Sequence, residues 1–294
     1  MNAPSARSSA RSCWGIYREL AHSLGREVDD AEILRATARR LESLGQPVTL
    51  LTPDEAAAST QAPSMAFVMC ERPPILELLT RWEENGARIV NRASAILNTR
   101  RHRMVALFEK DRIPSPRSIL VATGEPLPED ALPSRAAPVW IKRGDHHKTR
   151  EDDVSFAAGS EPAAIVLAQM AERGIERAVI QEHVPGDLIK FYGVASPEPD
   201  GEPWFQWFYH RDQNLSRHLF DTNALAATAA RAADSLGLEV YGGDAIAAAD
   251  GRLVVIDINA WPSFALYRQI ASERIAARLA ACLQREAGPV EARP

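Results

Sequence analysis

The segment GGDAIAAADGRLVVIDINAWP, residues 242–262, decides the fold of this chain. Asp250-Gly251 is a preferred pair for a tight turn between antiparallel strands, so the segment is predicted to be a β-hairpin. If those two residues form the whole turn, Asp244 lies directly opposite Asp257. Asn259 follows two residues later, so its side chain lies on the same face as that of Asp257. The hairpin is therefore expected to bring three oxygen-bearing side chains together.

Two facing carboxylates need a positive charge between them. At a Cβ separation of about 5 Å they repel each other, and strands avoid that arrangement. Mg²⁺, or Mn²⁺ in its place, would relieve the repulsion, because carboxylate and amide oxygens are ligands of hard cations. Asp244, Asp257 and Asn259 are therefore candidate metal ligands. The alternative is a hairpin whose acids point at solvent or at an arginine; the metal is favoured because Asp and Asn are uncommon in a strand as apolar as Val254 to Ile258.

The overall composition is that of an ordinary globular protein. The 294 residues are 46% hydrophobic and 25% charged, enough for two domains or one two-lobed unit. A net charge of -5 argues against a general nucleic-acid binder, which needs a basic surface. Cys13, Cys70 and Cys282 are far apart, so neither a disulfide framework nor a zinc site is expected. No apolar run reaches the roughly 18 residues of a membrane span, and the predicted location is the cytoplasm.

The pattern of strands and helices predicts two domains. Strands alternate with helices early in the chain, which predicts an α/β domain with a parallel sheet over residues 13–92, after a disordered tail at 1–12. Strands in the second half are predicted to be mostly antiparallel, with interspersed helices. This pattern indicates an α+β domain over residues 93–294, with a small subdomain at about 117–182 and a large one at about 183–294.

Three segments occur together in the order known from one superfamily. They are PVWIK (138–142), VIQEHVPGDLIKFYGV (179–194) and the hairpin with its following WPS. From about Asn91 to Leu283 the chain resembles the ATP-grasp superfamily, and more narrowly its branch containing the ribosomal-protein glutamate ligase, glutathione synthetase and inositol-phosphate kinases. The resemblance implies an ATP-grasp fold, in which two α+β subdomains clasp ATP, preceded by an α/β domain with a parallel sheet. It also implies ATP and Mg²⁺ as cofactors.

The resemblance assigns nucleotide-binding roles to particular residues. Lys142, at a strand end, would contact the α and β phosphates, since its head group is a compact charge on a long stem. Lys190 would face the phosphates, and Arg101 would stand for a phosphate-contacting lysine. Asp187 would contact the ribose or a phosphate, although it could equally be a turn residue. The linker between the subdomains, where the adenine edge is read, corresponds to Gln181, Glu182, His183 and Val184.

The resemblance also points to the acceptor side, where this chain departs from the family. HRDQNLSRH (210–218) is similar to the family's R-x-x-N-x-x-R stretch. Arg211, with Lys190, would stabilise the transferred group, because a guanidinium matches phosphoryl oxygens. The usual glycine-rich loop after Lys142 is replaced by a polar stretch containing His146, His147 and Lys148, and the usual Arg-Gly-Gly is missing. Candidate substrate contacts are Asn214, Arg217, Trp261 and Ser263, although Trp261 could equally be a packing residue.

The predicted function is that of an ATP-dependent carboxylate-amine ligase. Mg·ATP would phosphorylate a substrate carboxylate, and an amine would displace phosphate from the acyl phosphate. The substrates would be small molecules or peptides, with no nucleic-acid or membrane partner, and a homodimer is plausible. Two alternatives stay open: a kinase that phosphorylates a small-molecule hydroxyl on the same scaffold, and a nucleotide-binding protein that has lost catalysis, which the glycine-poor loop would suit.

Overall fold

A computed structural model describes residues 12–23, 25–128, 131–145 and 150–285. The predicted tail lies almost wholly outside the described residues, as do His146, His147 and Lys148. None of the described helices is long and apolar enough to cross a membrane. The chain forms two compact units: the first contains Met1–Ala93, Val194–Glu202 and Ser263–Pro294, and the second contains Ser94–Gly193 and Pro203–Pro262.

The first unit contains the predicted parallel sheet. Its strands are β1 (Cys13–Ile16), β2 (Val48–Leu51), β3 (Met65–Val68) and β4 (Arg88–Val90). Its helices are α1 (Glu27–Ser43), α2 (Pro53–Ala58), α3 (Pro73–Glu84) and the C-terminal helix, α8 (Arg268–Arg285). The strands pair in parallel in the order β2-β1-β3-β4. Helix α8 packs against α1, where Arg268 bonds to Asp29 and Arg40 Nη2 lies 2.5 Å from Glu273 Oε1.

A small antiparallel sheet forms one part of the second unit. Two helices precede it, α4 (Ala93–Asn98), at the boundary between the units, and α5 (Arg101–Lys110). The strands of the sheet are β5 (Ser118–Ala122), β6 (Val139–Arg143), β7 (Val154–Ala157) and β8 (Arg177–Glu182). They pair in the order β5-β8-β6-β7, with β7 as a short edge strand, and the sheet packs against α6 (Ser160–Glu172) through one apolar face.

A second four-stranded sheet forms the rest of the second unit. Its strands are β9 (Gly186–Val194), β10 (Trp204–Tyr209), β11 (Val240–Ala248) and β12 (Leu253–Ala260), in the order β10-β9-β11-β12. Helix α7 (Thr222–Leu236) contributes Leu225 and Leu236 to the core on one face of this sheet. The Asp221 carboxylate caps α7, and Gly237 ends it in the left-handed conformation, at φ 78°. The opposite face of the sheet carries the candidate site.

The hairpin of β11 and β12 has the predicted pairing but not the predicted turn. Near the turn Ala245 pairs with Val255, one residue out of the predicted register, because the turn has three residues rather than two. Gly251 ends that turn at φ 82°, as three-residue hairpin loops require. A β-bulge at Ile256 then adds one residue to β12 and restores the pairing of Asp244 with Asp257.

Candidate active site

Asp244 and Asp257 face each other across the hairpin, and each is held by a different cation. Lys190, from the neighbouring strand β9, places Nζ 2.7 Å from Asp244 Oδ1. Arg101, the first residue of α5, places Nη2 2.9 Å from Asp257 Oδ2. The side chain of Arg101 is buried, whereas those of Asp244 and Lys190 are each about one quarter exposed. Two acids and two bases therefore meet where the sequence predicts three oxygen ligands.

Lys142 brings a third cation to the same place. It lies in β6, is only 6% exposed, and donates from Nζ to Gln181 Oε1 at 2.7 Å. It also donates to the backbone carbonyl of Ile256 at 3.1 Å. Ile256 is the bulge residue, which has no partner across the β11–β12 ladder. The bulge thus has two effects, since it sets the register of Asp257 and presents a carbonyl to Lys142.

Burial makes the ammonium group of Lys142 more acidic. Loss of solvent lowers the pKa of its ammonium to about 8, while Asp257 acts to raise it and Arg101 to lower it further. Near neutral pH the ammonium is still mostly protonated. Three cations then share the cluster with two carboxylates, which leaves one positive charge in excess. Such a cluster is suited to attract a polyanion.

The three predicted metal ligands lie on one face of the hairpin. Asn259 pairs across the hairpin with Gly242, next to the facing acids. The described residues contain no group of three or more His, Cys, Asp or Glu side chains that could hold a metal. Two carboxylates and one amide are a donor set that fits a hard cation keeping water or phosphate in its other positions. An ion there would take over the neutralising role that Lys190 and Arg101 have in this structure.

The linker predicted to read adenine begins inside β8. Gln181 is buried, and besides accepting from Lys142 it donates from Nε2 to Ser118 Oγ at 3.2 Å. The N–H groups of Glu182 and His183 already donate to the carbonyls of Arg117 and Pro138, just before β5 and β6, at 2.8 and 3.2 Å. Val184 follows and is half-buried. This leaves the N–H group of Val184, rather than those of the two residues before it, as the candidate for recognising a base.

Sequence reasoning missed Trp140, an aromatic residue beside this linker. It precedes Lys142 by two residues in β6, so both side chains lie on the same face of the sheet. Its indole Nε1 lies 3.1 Å from His183 Nδ1, and its ring centroid lies 5.3 Å from that of Phe156. The strand period of two could have found Trp140 once Lys142 was singled out. A cavity of about 200 Å³ also reaches Gln181, and Ile256 lines its other side.

The Asp187 carboxylate binds the loop that follows β10. It is 1% exposed, and its two carboxylate oxygens accept from the backbone N–H groups of Ser216 and His218, each at 2.7 Å. Between them Arg217 has a φ of 57°, in the left-handed region. The carboxylate therefore holds the loop in the way an anion sits in a nest of backbone N–H groups. This contact gives Asp187 a role in positioning the loop, which is closer to the predicted turn residue than to a ribose ligand.

The structure does not bring the predicted acceptor residues into the charged cluster. Arg211 has a side chain that is 92% exposed and lies 3.8 Å from Asp212. Asn214 and Arg217 are also exposed. Trp261 is fully buried, and its backbone N–H donates to Val240 at 3.1 Å. Ser263 is buried in the first unit. The loop residues Arg211, Asn214 and Arg217 are therefore exposed to solvent rather than in contact with the cluster.

Solved structures with the same architecture identify the fold. No protein-family model matches the sequence, and no curated protein sequence matches it. A RimK-domain ATP-grasp protein from Sphaerobacter thermophilus is 19% identical, with a TM-score of 0.65 over 91% of this chain and 98% of that one. D-alanine–D-alanine ligase from Bacillus anthracis, complexed with ATP, is 12% identical, with a TM-score of 0.68 over 95% and 100%.

A third similar structure is the ATP-grasp ligase PsnB in complex with a phosphomimetic variant of a minimal precursor, Mg and ADP. It is 15% identical, with a TM-score of 0.63 over 95% of this chain and 99% of that one. Likeness at these identities establishes the fold. The chain therefore has an ATP-grasp fold preceded by an α/β domain with a parallel sheet, as predicted.

Proposed function

We propose that this chain is an ATP-dependent carboxylate-amine ligase with the ATP-grasp fold. The observation that carries the proposal is the cluster in which Arg101, Lys142 and Lys190 surround the facing acids Asp244 and Asp257. The cluster combines an excess positive charge for phosphates with oxygen ligands for a cation. The similar structures include ligases complexed with ATP or with Mg and ADP, which supports the same cofactors here.

The three cations would bind and orient the triphosphate. Lys142 enters from the small sheet, Lys190 from the large sheet and Arg101 from α5, so phosphate oxygens between them would be contacted from three sides. Lys142 is fixed by hydrogen bonds to Gln181 and to the Ile256 carbonyl, neither of which involves an acid. This reduces the reorganisation needed when charge develops on phosphoryl transfer.

Asp244, Asp257 and Asn259 would hold Mg²⁺. The ion would supply positive charge that neutralises the phosphoryl oxygens. The chain's own part is to supply two carboxylates already brought face to face by the hairpin register. When the acids bind the ion, Arg101 and Lys190 are released to contact phosphate. A substrate carboxylate oxygen would attack the γ-phosphorus with loss of ADP, and an amine would then attack the acyl carbon with loss of phosphate and a proton.

The base would bind next to the linker. Trp140 offers an apolar ring face on the side of β6 that carries Lys142, and Val184 offers the next backbone N–H. Both lie beside the linker, at the start of β9. The phosphates would therefore extend along β9 toward Lys190. The loop held by Asp187 carries Arg211, which would reach the transferred group if the loop closes over bound nucleotide.

The experiment compares three substitutions of the same kind in one hairpin. Asp244→Asn and Asp257→Asn each remove a charge from the proposed metal site, whereas Asp250→Asn removes one from the exposed turn. Mg²⁺-dependent ADP binding is measured by calorimetry, and acyl phosphate is trapped as a hydroxamate with hydroxylamine across a panel of carboxylic acids. We expect both site variants to lose at least about a hundredfold in turnover while Asp250→Asn keeps it.

The outcomes separate the possible functions. Hydroxamate that forms only with ATP, Mg²⁺ and a carboxylic acid supports the ligase. A stable phosphate ester formed on a hydroxyl, without hydroxamate, would replace the ligase by a kinase. If Asp257→Asn keeps full activity, the metal assignment is wrong. Binding of ADP that is indifferent to Mg²⁺ would contradict both the metal site and the proposed chemistry.

A further inference from the structure

The face of the large sheet that carries the acids continues beyond them as an uncharged aromatic surface. On β9, Phe191 belongs to the core on the opposite face, so Lys190 and Tyr192 share the face of the candidate site. Two residues along a strand correspond to about 7 Å. Tyr192 therefore lies one position beyond the Lys190–Asp244 ion pair, on the side away from the linker that precedes β9.

Strand β10 extends this surface. Phe205, Trp207 and Tyr209 pack against the hydrophobic core, so the alternate residues lie on the face of the candidate site. The ring of Phe208 lies 5.4 Å from the ring of Tyr192. Gln206, also on this face, is half-buried, as is Phe208, whereas Tyr192 is only 9% exposed. The side chains next to the ion pair on these strands are therefore aromatic or neutral.

Gly242 fixes the position of Tyr192. A Cβ atom at Gly242 would lie 2.9 Å from Tyr192 Cδ1 and 2.7 Å from Pro262 Cγ, so the Tyr192 ring rests against the backbone of β11. Gly242 is also the residue that pairs with Asn259. The ring thus lies against the residue that pairs with the third proposed metal ligand. A side chain at Gly242 would displace it, which indicates that the ring and the small residue are matched.

The direction of the strand separates this surface from the nucleotide. Strand β9 starts immediately after the linker, and Lys190 lies several residues further along. A nucleotide bound from the linker to the charged cluster ends its phosphates near Lys190. The next position on the same face is Tyr192, where the group that receives the phosphoryl would extend. The surface is therefore on the acceptor side.

We propose that Phe208, backed by the buried ring of Tyr192, forms an aromatic wall that binds an apolar or aromatic group of the carboxylate substrate. The inference rests on the proposed function and adds the class of substrate. The carboxylate lies toward Lys190 and Asp244, and the apolar group packs against the wall, with Gln206 as a neutral polar neighbour. Pockets of this composition, mostly apolar with one or two polar groups, favour uncharged groups of matching shape over charged ones.

The test measures binding of three carboxylate probes to the full chain loaded with Mg·ADP. The probes are 3-phenylpropionate, propionate and succinate, and binding is followed by saturation-transfer NMR with competition. We expect 3-phenylpropionate to bind at least about tenfold more tightly than propionate or succinate. Tyr192→Leu should reduce that preference to below about threefold, and Phe208→Leu should act in the same direction. Tyr192→Phe keeps the ring and should keep the preference.

Tyr209→Leu is the matched control, because it makes the same change on the opposite face of the neighbouring strand. It should preserve the preference even if it lowers Tm. The aromatic wall is refuted if succinate binds as tightly as 3-phenylpropionate or more tightly. It is also refuted if the preference for 3-phenylpropionate survives Tyr192→Leu, or if no probe binds. Mg·ADP binding in the same samples is the separate readout of the proposed function: its presence without a probe preference refutes the wall alone, and its absence refutes both.

Discussion

At the scale of single residues, Lys142 shows how burial and function oppose each other. Its ammonium has lost almost all contact with solvent, and that burial lowers its pKa to about 8. An apolar side chain of the same length would be buried without the free-energy cost of removing a charge from water. Gln181 and the Ile256 carbonyl compensate part of it by hydrogen bonding. A buried cation held in place beside two acids is typical of a site that must bind an anion.

Lys142→Met is expected to remove nucleotide binding and to change how stability depends on pH. Between pH 8 and about 10.5 the unfolded chain keeps the lysine proton while the folded chain releases it. The wild type is therefore stabilised as pH rises through this window, by at most about 3 kcal/mol, and the variant lacks that contribution. The measurement is the free energy of unfolding of both proteins at pH 7 and pH 10.

Two outcomes would contradict this account of Lys142. If the difference in stability between wild type and variant stays constant from pH 7 to pH 10, the lysine does not titrate in that window. If Lys142→Met binds Mg·ADP as tightly as the wild type, the residue does not contact the phosphates. Lys110→Met, an exposed change on α5, is the control for general effects of losing a lysine.

The hairpin pattern predicts Asp244 and Asp257, and the resemblance to the ATP-grasp superfamily predicts Arg101, Lys142 and Lys190. The ion pairs that join these residues could not be predicted, since the contacts between Arg101 and Asp257 and between Lys190 and Asp244 span 156 and 54 residues. Tyr192 escaped notice because an aromatic residue in a strand is what packing alone would predict.

At the scale of elements, the hairpin has the predicted pairing by a different route. The sequence predicts a two-residue turn and an unbroken ladder. The structure has a three-residue turn ending at Gly251 and a bulge at Ile256, and the two shifts cancel at Asp244. Either one alone would turn Asp257 toward the core, because a one-residue slip exchanges the faces of a strand. Local turn propensities do not distinguish the two loop lengths, and the bulge carbonyl bonds to Lys142, which comes from another sheet.

The loop after β10 is an element held by its neighbours rather than by its own secondary structure. Gln213 accepts from the Leu188 N–H at 2.8 Å and donates to the Leu188 carbonyl at 2.7 Å. Asp187 fixes the backbone at Ser216 and His218. These two side chains attach an exposed segment to the start of β9. The loop backbone is thereby pre-organised although its side chains face solvent.

Asp187→Ala is expected to release this loop and to slow turnover without abolishing nucleotide binding. The substitution leaves the N–H groups of Ser216 and His218 without their carboxylate acceptor, and the loss of hydrogen bonds to a charged group costs on the order of 1–3 kcal/mol in stability. Hydrogen exchange at Ser216 and His218 should become faster. If Arg211 acts on the transferred group, kcat should fall more than the KM for ATP rises. Unchanged exchange at both amides would contradict the role of Asp187, and a rise in KM alone would favour direct contact with the ribose.

At the scale of the whole molecule, the alternation of strands and helices along the sequence predicts the parallel sheet of the first unit. It does not predict that the last helix, α8, belongs to that unit. Helix α8 was predicted within the second domain because it follows the hairpin directly. In the structure it belongs to the first unit and packs against α1. The contacts of Arg268 with Asp29 and of Arg40 with Glu273 join residues more than 200 positions apart. Composition and periodicity identify such a helix without identifying its partner.

The first unit has its own acid-sensitive centre at the carboxyl edge of the sheet. Glu19 is 7% exposed and follows β1, and its carboxylate accepts from the backbone N–H groups of Glu71 and Arg72, just before α3. Burial acts to raise the pKa of Glu19, but hydrogen bonds from His22 and from the backbone outweigh it and lower the pKa to about 2. The ionised carboxylate therefore connects β1 to the start of α3.

Because the pKa of Glu19 is lower in the folded state, its contribution to stability is present above about pH 4.5 and is lost as pH falls toward 2. Glu19→Gln should destabilise the first unit at neutral pH, and the difference from wild type should shrink across that acid window. Hydrogen exchange of β1 and α3 peptides, measured from pH 7 to pH 3, gives the comparison for this unit alone. Glu77→Gln, an exposed change on α3, is the control. If the stability curves of wild type and Glu19→Gln run parallel through the acid window, the charge of Glu19 contributes nothing to the stability of the first unit. Hydrogen bonding by a neutral side chain then suffices at this position.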